Sequence, residues 1–515
     1  MCRMTTHPRG RRAARTGVSA DRTAASVRAA AAGAAAAAGD ATQLVTETGR
    51  RLLATQDPLQ AELIAAAVLA VPHQDRAGPQ LGEMFVRTLC RIAGEHPSPE
   101  SAALLRAVAA IAPPPLRRAA VAALGVVTAA GHYPPDWAGQ VGRAVPGEAW
   151  RSADVFGDTE TIAVTFRYGD TEHAAVVQID RCRPPTALRV AVMPDVDRLR
   201  AVLATPDDPL LRTEPVGLAA ARARVEPVLA QGHPGDLEDV FAELDTGSLF
   251  SLPVVRARLR RLPPPEASPD TAGPPGFGSA DRAVAVSEFL ASQPAAGAGE
   301  ETVVRFWAEL FTGYSGAVPG DPPARIGPLK LPHLLLSYVP NTFALTAEQR
   351  RGLPAAATAW TEWAAARQRL PEPALAALRE RLPEVLERFD AAYDDPENSR
   401  QRGYLADLSA TTTDAGVLAE ALQRRAMAAP PADRQDTELR SVAVAEPAGR
   451  RALVEREYAQ CQPPDGMSSA EFVAAAVRVS EQLWQDDPPE LWRRAQELAE
   501  AGVADHDIIH QLAAG

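Results

Sequence analysis

Aromatic side chains make up only 5% of this 515-residue chain, and lysine occurs once, at Lys330. With so few rings, the cores have to be built from Ala, Leu and Val. Ala and Leu lose little conformational entropy in a helix, so this shortage points to helix bundles rather than sheets. Long apolar runs are missing too. The best one, Leu63 to Val71, falls far below the ~18 residues that span a bilayer, which argues against a membrane protein. The four cysteines, Cys2, Cys90, Cys182 and Cys461, are scattered, and none forms a C-x-x-C pair. That argues against a zinc ribbon or a dithiol redox motif and fits buried free thiols in a reducing cytoplasm.

Positive charge is in deficit. The formal net charge is −12, whereas binding a phosphate backbone needs clustered cations. The exception is the start of the chain, where residues 1–40 hold seven Arg and two Asp. There Arg11-Arg12 precedes the run Ala29–Ala38, which superficially suggests an export signal. Gly33 breaks that run and it lacks Leu or Phe, so residues 1–41 read as a disordered, basic, Ala-rich tail. The near-total use of Arg for Lys reads as the mark of a GC-rich genome. No G-x-G-x-x-G, Walker loop or G-x-S-x-G is present.

What is there is ordinary globular material, 46% hydrophobic, cut into short helices by 46 prolines. The length calls for several domains. A first helical domain is expected over 42–262. Asp57 caps a helix that opens at Pro58, Ser98 caps one with Pro99 and Glu100 in its first turn, and Gly131 closes another. Within this domain the period changes at 150–193. Ile162, Val164, Phe166 and Tyr168 alternate along one strand, Gly169-Asp170 turns, and a second strand carries Val176 and Ile179. The segment "ALRVAVM" extends this to an antiparallel sheet of two to four strands, covered by a helix capped by Asp195. A Pro/Gly linker (263–278), a second helical domain (279–430), a loop or linker (431–461) and a C-terminal helical segment (462–515) follow. The fold class is mainly α with a small antiparallel β-sheet. Trp360 and Trp363, three residues apart, read as core anchors.

The C-terminal segment holds the strongest local pattern. Asp487 is placed to cap a helix with Pro488, Pro489 and Glu490 in its first turn, and Gly502 to end it. A last helix then sets His506 and His510 four residues apart on one face, where two imidazoles could share zinc or another divalent metal, beside Asp505 and Asp507. No third ligand is identifiable. Gln482-Leu483-Trp484, Asp487-Pro488-Pro489-Glu490 and the His506/His510 pair resemble a small bacterial domain family of unknown function that carries two His-x-x-x-His helices. The resemblance covers about residues 462–515. It places the first histidine pair at Phe472 and Ala476, so half of the histidines are lost. It implies that these two faces confront one another, with packing rather than metal at His506 and His510. The stretches "QDPLQAEL", "AWRSADVFGDTETIAVTFRYGDTEHAAVVQID" and "IGPLKLPHLLLSYVPNTFALTAEQRRGLPAAATAWTEWA" resemble uncharacterised actinobacterial proteins of similar length, which implies domain order and no activity.

Two further clusters qualify as candidates. Asp390, Asp394, Asp395 and Glu397 could bind a cation, although their spacing is not that of an EF-hand. His173, with Asp154, Asp158 and Asp170 close in sequence, could act as a base. Three functional readings follow. The preferred one is a non-enzymatic cytoplasmic helical interaction or regulatory protein with a protein partner. The second is a metal-dependent hydrolase using His506 and His510. The third is nucleic-acid association through the basic tail.

Overall fold

The computed structural model describes residues 41–74, 79–183, 185–204, 208–230, 246–265, 277–316, 320–429, 444–459, 461–464 and 466–514. The basic tail 1–40 and most of the linker 263–278 lie outside them. The chain divides into two compact units, residues 1–272 and 273–515, the division falling inside the Pro/Gly linker. It is mainly helical with one antiparallel sheet. Among the described residues no helix is long and apolar enough to cross a membrane.

Among the described residues the first unit opens with five helices: α1 (Ala41–Ala54), α2 (Pro58–Gln74), α3 (Pro79–Glu95), α4 (Pro99–Ile111) and α5 (Pro114–Ala129). Their starts follow the expected chemistry. Asp57 Oδ1 accepts from the Leu59 amide and Ser98 Oγ from that of Ser101, satisfying amides that have no intrahelical partner. α4 is mostly buried, and the small and aliphatic side chains of Ala102, Ala103, Leu104, Leu105, Ala107 and Val108 let α1, α2 and α5 close around it. α1 and α4 cross so closely that a Cβ on Gly49 would stand 2.6 Å from Glu100 Cα.

The sheet follows: β1 (Val145–Asp154), β2 (Thr159–Tyr168), β3 (Thr171–Asp180), β4 (Thr186–Met193) and β5 (Leu211–Pro215), in the order β4-β3-β2-β1-β5. It has five strands, one more than the sequence suggests. β5 lies outside 150–193 and is half exposed, so it shows no alternating apolar pattern. The register pairs Ile162 with Val177, Val164 with Ala175 and Phe166 with His173. Ile162, Val164, Phe166 and Tyr168 share one core with the helices, joined by Ala175, Val177 and Ile179. Val176 belongs to the opposite face, where Ala163 and Ala174 pack under α6 (Val196–Ala204). A strand buried on both sides carries no polar alternation, which is why the parity of β3 could not be read from its sequence. Helices α7 (Leu218–Ala230) and α8 (Thr246–Leu259) follow in the same unit.

The second unit contains α9 (Ser279–Leu290), α10 (Glu301–Gly316), α11 (Ala347–Arg367), α12 (Glu372–Tyr393) and α13 (Ala415–Ala428). Its scarce aromatics are pooled. Phe289, Phe311, Trp360 and Trp363 make ring contacts of 4.8–5.4 Å, the anchoring role expected of the two tryptophans. Lys330 is buried, with its ammonium 2.6 Å from Asp321 Oδ2 and 2.7 Å from Ser315 Oγ.

Four helices end the chain: α14 (Pro447–Tyr458), α15 (Ser469–Gln485), α16 (Pro489–Glu500) and α17 (Asp505–Ala514). α14 corrects the reading of 431–461 as a loop, of which 431–443 and 460 lie outside the described residues. Its charged sequence hides a narrow buried stripe of Arg450, Leu453, Val454 and Tyr458. The C-terminal helices also belong to the same compact unit as 279–430. Arg425 reaches the Trp484 carbonyl and Asp407 at once, and Ser480 donates to the Ala428 carbonyl. The start of α16 differs from expectation: Pro488, not Asp487, occupies the cap and offers no side-chain acceptor. Gly502, at φ +83°, ends that helix in the left-handed conformation glycine tolerates.

Candidate functional site

The last turn of α14 and the first turn of α17 meet at the edge of the C-terminal bundle. α14 delivers Glu457 and Tyr458, and the chain then places Cys461 beside them, its amide bonded to the Tyr458 carbonyl. α17 delivers His506. Its Nδ1 lies 3.0 Å from Glu457 Oε1 and its Nε2 3.3 Å from Cys461 Sγ. The imidazole therefore bridges a carboxylate and a thiol through its two different nitrogens. With Glu457 accepting from Nδ1–H, Nε2 is left as the lone pair that faces the thiol. Tyr458 fixes the plane of the ring. Its own ring stacks on His506 at 4.8 Å and 9°, and its hydroxyl donates to the His506 carbonyl at 3.1 Å.

The group is open to solvent, with the His506 and Glu457 side chains 39% and 49% exposed and Cys461 half-buried. This corrects the reading of the thiols as buried, which holds for Cys90 and Cys182; Cys2 lies outside the described residues. Partial burial, followed by the negative charges of Glu457 and Asp507, pushes the Cys461 thiol up from its ordinary value. Its position past the C-terminal, partially negative end of α14 acts in the same direction. At rest the site holds a neutral thiol against a basic nitrogen.

The two histidines do not converge. His510 Nε2 lies 3.1 Å from the Gln462 carbonyl, and its ring lies 4.6 Å from that of Phe472. α15 and α17 thus face each other with Phe472 against His510, while His506 turns to α14. The partner of His506 is Glu457 rather than Asp505 or Asp507, both of which are exposed. Sequence reading missed Glu457 and Cys461. The available signal was their own four-residue spacing, which lets both reach the single ring of His506.

The other candidates resolve differently. His173 is 1% exposed, and its hydrogen-bond partner is Arg258 rather than Asp154, Asp158 or Asp170. It accepts a hydrogen bond at Nε2 from Arg258 Nε, 2.9 Å away, and stacks between Phe166 and Tyr168. Burial, then the Arg258 charge, lowers its pKa to about 3, and its Nδ1 has no hydrogen-bond partner. Arg258 in turn pairs with Glu62, which also accepts from the Tyr168 hydroxyl at 2.6 Å and the Gly142 amide at 2.8 Å. This network locks α2, α8 and the sheet together in the core and is sealed from substrate. Asp390 and Asp394 do not wait for a cation, because both are paired with Arg350. Asp395 accepts from the Glu397 amide at the start of the short helix Pro396–Arg402.

Compared with protein-family models, curated proteins and solved structures, the chain matches none.

Proposed function

We propose that the C-terminal bundle is an acyl-transfer centre in which Cys461 is the nucleophile, His506 the general base and Glu457 the group that orients it. The observation that carries this reading is the bridge itself: one imidazole with a thiol on Nε2 and a carboxylate on Nδ1, its plane set by Tyr458. Nucleophile, base and orienting group within contact is the arrangement that covalent catalysis by a weak nucleophile requires. As Sγ attacks an acyl carbon, His506 takes the thiol proton. The bond to the leaving oxygen or sulfur breaks, and that group receives the proton from His506, leaving a thioester on Cys461. Disulfide exchange fits less well, since it proceeds through a preformed thiolate and this thiol is held protonated. Chemistry of this kind needs a compartment that keeps the thiol reduced, such as the cytoplasm.

Incubating the full chain with S-phenyl thioacetate and mapping acetyl groups by peptide mass spectrometry tests the assignment. Acetyl on the Cys461 peptide, lost in Cys461→Ser and reduced at least about 100-fold in His506→Ala, is the expected result. Acetylation equal in wild type and His506→Ala would overturn it.

A second reading, a helical interaction protein, is favoured by one surface. On α5, Val121, Ala122, Gly125, Val126 and Ala129 form an exposed apolar stripe, near Tyr133 and with Met84 exposed on the neighbouring α3. An uncovered apolar stripe of this kind suits an apolar partner helix. Replacing Val126 by Glu should abolish any defined assembly seen by analytical ultracentrifugation with the co-purified partner.

A further inference from the structure

We infer that the first unit binds a phosphate group in its dianionic form, held by Arg117, Arg256 and Arg260 where α4 ends and α5 begins. The site is independent of the Cys461 centre. Arg260 Nη2 lies 2.7 Å from the Ile111 carbonyl oxygen and 3.3 Å from that of Ala112, at the end of α4. Arg117 Nη2 donates to the same Ala112 oxygen at 3.4 Å, so two guanidinium groups converge on one atom. Arg256, one helical turn before Arg260, donates at 2.7 Å to the Leu229 carbonyl at the end of α7. Among the described residues no carboxylate pairs with any of the three. On α7 the carboxylate of Glu226 is taken at both oxygens by Arg222, at 2.8 and 3.0 Å.

Capping the two helix ends does not account for the cluster. Each helix C-terminus carries about half a negative charge, so α4 and α7 together offset about one of the three positive charges. The start of α5 adds positive charge, because Pro113 offers no side-chain acceptor and the first turn holds no acid. The Arg117 Nε–H is left over as well: the atom is buried and has no hydrogen-bond partner. Burial, then the charges of Arg117 and Arg256, pushes the Arg260 guanidinium down to about 10, as a positive field without a counter-ion does. A phosphate group, with a charge of about −1.5 to −2 near neutrality and several acceptor oxygens, matches both the residual charge and the forked donors. A carboxylate or a phosphodiester brings a single charge and neutralises only part of the cluster. The site is open to such a ligand, since Arg256 is exposed and Arg117 and Arg260 are half-buried.

Isothermal titration of the full-length protein tests this with phenyl phosphate and benzenesulfonate, which are similar in shape but differ in charge at about pH 8 and low salt. Phenyl phosphate should bind with single-site stoichiometry and at least about ten-fold more tightly than the sulfonate. Inorganic phosphate, titrated in parallel, tells the two sources of the group apart. Affinity equal to that of phenyl phosphate assigns the site to free phosphate, and weaker affinity assigns it to a phosphate ester; both support the inference. Arg117→Gln and Arg260→Gln should each weaken binding by about ten-fold or more. Arg87→Gln, on α3 where Arg87 pairs with Glu83, should leave binding unchanged. Arg260→Gln also gives up a cap on α4, so hydrogen exchange of the α4 peptides checks its fold; where that variant is unfolded, Arg117→Gln decides. No binding of phenyl phosphate, equal affinity for the two ligands, or undiminished binding in Arg117→Gln overturns the inference.

Discussion

Replacing Glu62 by Ala should be among the most damaging single changes in the first unit. The Glu62 carboxylate is 0% exposed and accepts from both terminal nitrogens of Arg258, from the Tyr168 hydroxyl and from the Gly142 amide. Its removal strands the Arg258 guanidinium, itself 1% exposed, between the rings of Phe166 and Tyr168 at 5.6 and 5.3 Å. An unpaired buried charge of this kind costs about 3–5 kcal/mol, a large fraction of the 5–15 kcal/mol typical of a whole domain. Glu62→Leu combined with Arg258→Met removes both charges, and should recover a good part of that loss because a buried pair is often no better than apolar residues of its size. Hydrogen exchange of the β2 and β3 peptides in graded urea measures the first unit separately from the second. Glu62→Ala within about 1 kcal/mol of wild type would refute the claim that this pair is uncompensated when broken.

His173 predicts an acid limb. Its folded pKa, near 3, lies below the ordinary 6.5, so the unfolded chain takes up a proton that the folded chain refuses. Stability is therefore lost as pH falls below 6.5, by roughly 1.4 kcal/mol per unit down to the folded pKa, and His173→Gln should flatten that slope in urea titrations at pH 4–6. Gly49→Ala should destabilise by about 1–3 kcal/mol despite alanine's better helix propensity, because the new Cβ meets the Glu100 backbone; thermal unfolding checks it. Phe472→Ala should cost the second unit about 3–5 kcal/mol, since the ring is fully buried between Tyr458 and His510, and should raise hydrogen exchange in α14 and α17.

The helices with strong caps were legible from residues alone: Asp57 and Ser98 occupy the places their chemistry dictates. So was β2, because Ile162, Val164, Phe166 and Tyr168 alternate. β5 and α14 were not. Leu211–Pro215 is a half-exposed edge strand, and α14 buries only a narrow stripe beneath its arginines. Half of the candidate site was legible too. His506 stands on a helix whose four-residue spacing draws attention, but a pair of imidazoles suggests a metal, and the sequence has no way to say that they turn apart. Glu457 and Cys461 lie about 45–49 residues upstream and meet His506 only through the packing of α14 on α15 and of α15 on α17. His173 shows the opposite error. Nearby aspartates in sequence suggested a base, whereas the strand register turns it inward to Arg258, from α8, some 85 residues away.

The central claim is that His506 takes the proton from Cys461, and the rate of Cys461 acetylation by a neutral thioester measures it directly. Followed in single-turnover mode across pH 5–9, wild type should stay well above His506→Ala at and below neutral pH, where the Cys461 thiol is protonated. Glu457→Gln, which removes the carboxylate that selects the Nδ1–H tautomer, should slow acetylation by about ten-fold or more, and His506→Ala should leave only the rise that accompanies ionisation of the thiol itself. Superimposable pH–rate profiles for wild type and His506→Ala would contradict the account.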